Sequence, residues 1–188
     1  AESAKRRGVA GMVFAFKVAG ASAARGDALA TVAGHARRAA ERTRSIGVAL
    51  APCTIPGASA PGFSVAAGRI EIGMGIHGEP GIDEVPLAPA DSVADAMVDR
   101  LVAAGAAAEG TRVAVLVNSL GATPLEELLI VYRRVAQRLA ARNVTVARRD
   151  VGHYATSMEM AGCSISLLDL DADLEALLAA PARCAFWR

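Results

Sequence analysis

Arg112-Val-Ala-Val-Leu-Val-Asn-Ser-Leu-Gly-Ala-Thr-Pro124 passes from one kind of secondary structure to another within a few residues. Residues 112–117 form a near-continuous Val/Leu run, the composition of a strand buried on both faces or at a sheet centre. Thr123-Pro-Leu-Glu126 has the form of a capping box, with Pro at the first helical position. Downstream, Leu125, Leu128, Leu129, Tyr132, Val135, Ala136 and Leu139 recur at helical spacing on one face. Glu126 and Glu127 at its start, and Arg138 and Arg142 at its end, complement the helix dipole. A buried strand feeding an amphipathic helix is the unit of an α/β fold.

The flanking sequence continues that alternation. Asn143–Val151 reads as a strand, 152–162 as a Gly/Ser/Met loop, Cys163–Leu170 as a strand and Asp171–Leu178 as a short helix. Upstream, residues 9–24 read as a small-residue helix. Asp27 is placed to cap a second helix over about 28–43, with Leu29, Val32, Ala33, Ala36 and Ala40 inward and His35, Arg38 and Arg42 outward. Ser45–Leu50 is a strand, and 52–68 a Pro/Gly/Ser loop. Arg69–Ile76 alternates Ile70, Ile72, Met74 and Ile76 with Glu71, Gly73 and Gly75, a strand with one glycine-lined face. Residues 77–82 are a loop, and Asp91 or Ser92 caps a third helix carrying Val93, Met97, Val98 and Leu101. The expected organisation is a helical pair over 1–44 and an α/β domain with a mixed sheet over 45–188.

Composition narrows the function. Twenty Lys+Arg stand against nineteen Asp+Glu, which argues against a dedicated nucleic-acid or polybasic membrane surface. The basic clusters at Arg37–Arg44 and Arg133–Arg149 read as solvated helix faces. No apolar run approaches the ~20 residues of a membrane span, and Lys17 interrupts the N-terminal apolar stretch that otherwise invites comparison with a signal peptide. Cys53, Cys163 and Cys184 form neither a disulfide framework nor a zinc spacing, so a reducing cytoplasm is expected.

Gly73-Met-Gly-Ile-His-Gly78 is a literal G-x-G-x-x-G after a strand. A dinucleotide fingerprint opens a helix, whereas Glu79-Pro80-Gly81 breaks one. The glycines instead let backbone approach a ligand or another chain, and they leave His77 on a loop without bulky neighbours. A neutral imidazole there has a lone pair able to attack a carbonyl carbon. The alternative is a turn histidine bonded to backbone. His153, beside Tyr154, Thr156 and Ser157, either lines a site or is structural. Asn118–Thr123 either turns amides toward an anion or caps the following helix, the second being preferred.

Gly47-Val-Ala-Leu-Ala-Pro-Cys-Thr-Ile-Pro56, Glu71-Ile-Gly-Met-Gly-Ile-His-Gly-Glu-Pro-Gly81, Val115-Leu-Val-Asn-Ser-Leu-Gly-Ala-Thr-Pro124 and Thr156-Ser-Met-Glu-Met-Ala-Gly162 resemble the dihydroxyacetone kinase substrate-binding domain, DhaK. Arg6-Arg-Gly-Val-Ala-Gly11 and Lys17-Val-Ala-Gly-Ala21 are similar to it as well. The likeness runs over essentially the whole chain, against the C-terminal half of the family pattern. His153 and Cys163 depart from that pattern, which more often has Asn and Phe.

The resemblance implies a two-layer α/β domain with a mixed sheet, helices on one face, and the first two helices turned toward a missing N-terminal DhaK domain. It implies that His77 holds the substrate carbonyl as a covalent hemiaminal, with Gly75, Gly78 and Glu79 around it. The substrate implied is dihydroxyacetone or a related triose or ketose, since a polyol has no carbonyl to attack. No cofactor is expected in this chain. ATP or ADP with Mg belongs to a DhaL-type nucleotide-binding partner, and this chain alone is an incomplete kinase. The alanine-rich faces of the first helices are too apolar to stay exposed, so the chain is expected either to form a homodimer or to recruit its missing half. The competing expectation is a binding or regulatory module of the same fold without phosphotransfer.

Overall fold

The computed structural model describes residues 9–76 and 81–184. Its centre is a six-stranded mixed sheet in the order β3-β2-β1-β6-β4-β5. The strands are β1 (Thr43–Ala51), β2 (Arg69–Ile72), β3 (Asp83–Pro86), β4 (Arg112–Ser119), β5 (Thr145–Gly152) and β6 (Ala161–Asp169). Only β4 and β5 pair in parallel; every other neighbour is antiparallel. The helix that joins the parallel pair is α4 (Leu125–Ala140), preceded by α1 (Met12–Ala24), α2 (Leu29–Arg42) and α3 (Ala90–Ala103) and followed by α5 (Ala172–Ala179).

The Val/Leu run is an interior strand, as its composition predicts. Val113, Val115 and Val117 point into a core with Ile46, Val48, Ile165 and Leu167, covered by Met97, Val98 and Leu101 of α3 and Leu128, Val131, Val135 and Leu139 of α4. Ala114 and Leu116 point the other way, into a second core with Phe14 and Val18 of α1, Ala39 of α2, and Leu174, Leu177 and Leu178 of α5. The expected mixed α/β sheet is present. Helices cover both of its faces rather than one, because β4 presents apolar side chains to both cores.

The seating of α1 explains Lys17. Its ammonium donates to the Leu177 carbonyl at 3.1 Å and the Ala180 carbonyl at 2.5 Å, at the C-terminal end of α5, where a cation meets the negative end of the helix dipole. Burial first, and then Arg148 nearby, push the Lys17 ammonium below its ordinary value.

Several local expectations are corrected. The Arg69–Ile76 strand ends at Ile72, because Gly73 takes φ +80° and the amide of Ile82 uses the Ile72 carbonyl at 2.8 Å. Residues 83–86, to which sequence alone assigns no element, form an edge strand whose two carboxylates and terminal proline conceal it. Helix α2 is rotated from its predicted stripe: Leu29 is 84% exposed, while His35 and Ala39 are buried. His35 tolerates burial because its ring nitrogens meet Ser22 Oγ at 2.9 Å and Asp173 Oδ2 at 3.2 Å. On α4, Leu125 and Leu129 are exposed and Val131 faces the core.

The predicted caps are used elsewhere. The N-cap of α2 is Ala28, and the Asp27 carboxylate accepts from Ser22 at 2.5 Å and Arg25 at 2.8 Å. Pro89 precedes α3, and Asp91 pairs with Arg133 of α4. Pro124 precedes α4. The Thr123 hydroxyl donates to the Gly162 carbonyl at 2.8 Å and accepts from the Gly162 amide at 2.9 Å.

Candidate functional site

β1 and β4 are both antiparallel to β6, and β5 is parallel to β4, so β1, β4 and β5 all end at the same edge of the molecule. The segments leaving them, 52–54, 118–123 and 153–160, gather there. The segment that follows β2 comes to the same place by another route. The Gly73 amide bonds the Gly47 carbonyl at 2.7 Å, and Met74 lies on the α1 face of the sheet among Val9, Ala49, Cys53, Leu120 and Met160. Gly47 lies directly beneath. A Cβ there would already stand 3.5 Å from the Met74 carbonyl oxygen and sulfur, in van der Waals contact with both.

This places the two stems of the 77–80 segment. In the leading stem, Gly75 is buried and the Ile76 carbonyl accepts the Ser157 hydroxyl at 2.5 Å. In the trailing stem, the Gly81 amide donates to the Glu71 carboxylate, and Ile82 lies over Gly73, where a Cβ would come within 2.6 Å of it. His77, Gly78 and Glu79, the other predicted site residues, lie outside the described residues.

Ser157 is a junction. Its amide donates to the Leu120 carbonyl at 2.6 Å, its carbonyl accepts from the Met160 amide at 3.0 Å, and its Oγ lies 3.4 Å from Cys53 Sγ. The serine proton is given to Ile76, so Cys53 is the donor to Ser157. One residue further out, the Thr54 amide donates to the Glu159 carboxylate at 2.8 Å. Backbone hydrogen bonds, from its own amide first and Thr54 next, hold the Glu159 carboxyl below its usual range.

Asn118–Thr123 turns out to serve this edge rather than to cap a helix or face an anion. Leu120, Gly121 and Ala122 give their amides to Gly162 O, Ser119 Oγ and Met160 O. Asn118 is buried and fastens the next segment, accepting from the Tyr154 amide at 2.8 Å and the Ala155 amide at 2.9 Å and donating to the Ala155 carbonyl at 2.8 Å. Gly121 has φ +150°, and a Cβ there would overlap the Met158 carbonyl. His153 is exposed at the start of the same segment. The Ser157 junction had no local signal: its hydroxyl reaches 81 positions back along the chain.

The opposite face carries a separate groove of about 230 Å³, lined by Val48, Leu50, Ile70, Leu87 and Ile130 with Cys163 among them. Burial there pushes the Cys163 thiol up to about 12. Among the described residues, no group of three or more His, Cys, Asp or Glu is arranged to hold a metal ion, and no helix is long and apolar enough to cross a membrane.

Comparison with known proteins gives a consistent neighbourhood. The chain is 47% identical over 188 residues to an L-erythrulose kinase of Pectobacterium atrosepticum, covering 98% of this chain and 32% of that protein. It superposes on the dihydroxyacetone kinase of C. freundii with a TM-score of 0.82 at 35% identity, covering 96% of this chain and 33% of that one. It superposes on the dihydroxyacetone kinase operon co-activator DhaQ with a TM-score of 0.84 at 29% identity, covering 93% of this chain and 54% of that one. The chain thus spans about a third of the two kinases' length. The Dak1 domain model matches residues 1–186, and the chain belongs to that family.

Proposed function

We propose that this chain is the substrate-holding part of a kinase for dihydroxyacetone or a related small ketose, with His77 as the residue that binds the carbonyl. The observation that carries the reading is the pair of tied stems. The Ile76 carbonyl and the Gly81 amide, either side of the segment that includes His77, are fixed by Ser157 and Glu71. A covalent ligand-holding residue needs such an anchored backbone, because positioning supplies much of a barrier reduction. The relatives named for erythrulose and dihydroxyacetone add that both sugars carry a ketone beside hydroxyls.

The chemistry follows from that carbonyl. A lone pair of the neutral His77 ring forms the N–C bond, and the carbonyl π pair moves to oxygen, which takes a proton. The other ring nitrogen gives one up, so no group leaves and the ring ends neutral. The hemiaminal fixes which hydroxyl faces the phosphoryl donor. Gly75, Gly78 and Glu79 line the bound sugar. ATP or ADP with Mg, carried by a DhaL-type partner, supplies the phosphoryl group, and in-line transfer then depends on placement and charge stabilisation. The substrate site is shared with an N-terminal DhaK domain, and the assembly is a cytoplasmic homodimer.

Native mass spectrometry of the protein with dihydroxyacetone tests this. An adduct is expected in the wild type and absent in His77→Ala. An adduct of equal abundance in His77→Ala rejects the assignment. The likeness to a co-activator supports a second reading, a module that holds the same sugar without phosphotransfer. Supplying a DhaL-type subunit with ATP and Mg separates the two: sugar phosphate forms under the first reading, and adduct without turnover under the second.

A further inference from the structure

We infer that Ser157 is a positioning residue for His77, acting through the main chain of Ile76. The inference rests on the His77 reading and adds the tie that anchors the residue before it. Ser157 is buried, yet it does not belong to a strand or helix. Besides the local turn to Met160, it links its own segment to three others: Leu120 after β4, Cys53 after β1 and Ile76 after β2. Two of these links tie together the ends of strands that the sheet already holds. The third reaches the carbonyl of the residue directly before His77.

The direction of each proton strengthens the assignment. A carbonyl only accepts, so the single hydroxyl proton of Ser157 goes to Ile76, and the Cys53 thiol donates to the oxygen behind it. Hydrogen bonds in such a chain polarise one another. Removing the hydroxyl leaves the Ile76 carbonyl without that donor while the amide and carbonyl of residue 157 keep their bonds. The sheet and its helices are untouched, and the leading stem alone is released.

Ser157→Ala is compared with wild type, with Ser157→Thr and with Ser166→Ala. Ser166 is a buried serine on the same sheet face whose hydroxyl lies 2.7 Å from that of Ser45, well away from the stem. In Ser157→Ala the apparent affinity for dihydroxyacetone, read from adduct abundance in native mass spectra, is expected to fall about tenfold, the upper end for one hydrogen bond. Ser157→Thr is expected to recover most of it, and Ser166→Ala to stay within twofold of wild type even where its thermal midpoint drops equally. Hydrogen exchange is measured on the same proteins: amides of residues 74–76 exchange faster in Ser157→Ala and not in Ser166→Ala. Unchanged exchange there overturns the inference whether or not an adduct forms, and so does a Ser157→Ala affinity within twofold of wild type. An adduct that survives in His77→Ala instead defeats the histidine reading and leaves the exchange result to judge Ser157.

Discussion

The two faces of the sheet are built from the same strands and differ in what they present. Toward α3 and α4 the strands show Ile46, Val48, Val113, Val115, Val117, Ile165 and Leu167, all apolar and branched. Toward α1, α2 and α5 they show Ser45, Gly47, Ala49, Ala114, Leu116, Ser164, Ser166 and Leu168, mostly small or hydroxylated. The first face is dry, with charge confined to its rim, where Asp91, Asp95 and Asp99 of α3 meet Arg133, Arg134 and Arg138 of α4. The second is threaded with polar ties, from Lys17 to the end of α5 and from His35 to Asp173, and it carries the 73–76 segment over Gly47. Large side chains stabilise a fold by burying area, while small ones let main chain approach main chain. Stability is therefore assigned mainly to the first face and the site to the second.

The largest expected effect lies on the dry face. Leu128→Ala removes a fully buried side chain and is expected to cost about 2–5 kcal/mol in urea denaturation. Any adduct formed by the remaining folded protein should keep its affinity, and a drop in that affinity breaks the division between faces. Gly47→Val is expected to cost about 1–3 kcal/mol by overpacking, because it pushes into Met74. Here the affinity should fall with the stability, and hydrogen exchange in 73–76 should rise; a stable variant with unchanged exchange contradicts the close seating of 73–76 on Gly47. The smallest effect sits on the rim. Hydrogen bonding from Arg134 first, and then Arg138, holds the Asp95 carboxyl at about 2, against an ordinary 3.8. A carboxyl depressed on folding contributes stability above its unfolded value and loses it as pH falls through its folded one. Stability followed from neutrality down to pH 2 should start slightly lower in Asp95→Asn and fall less steeply than wild type between pH 4 and pH 2.

What sequence made legible follows from the range of the forces involved. β4, α4 and β6 announce themselves because burial imposes period two or 3.6 on neighbouring residues. β3 does not, since an edge strand of four residues needs no apolar face. Thr123 and Asp27 carry good capping chemistry, but partners brought by folding, Gly162 and Ser22, claim their oxygens. His35 reads as solvated until Ser22 and Asp173 supply hydrogen-bond partners for burial. Covering both sheet faces likewise depends on α1 and α2 returning to a sheet that forms later in the chain. At the site, His77 stands out for its glycine-rich surroundings, whereas Ser157 and Glu71 matter through backbone groups of Ile76 and Gly81 that sequence does not mark.

The central claim is that His77 takes the sugar carbonyl, and carbon-13 NMR reads that carbonyl directly. Dihydroxyacetone labelled at its carbonyl carbon is added to the wild-type protein and to His77→Ala. The account predicts a tetrahedral-carbon signal with the wild type, broadened to the width of the protein, and only free ketone and its hydrate with His77→Ala. The same protein-bound tetrahedral signal in both proteins would contradict it.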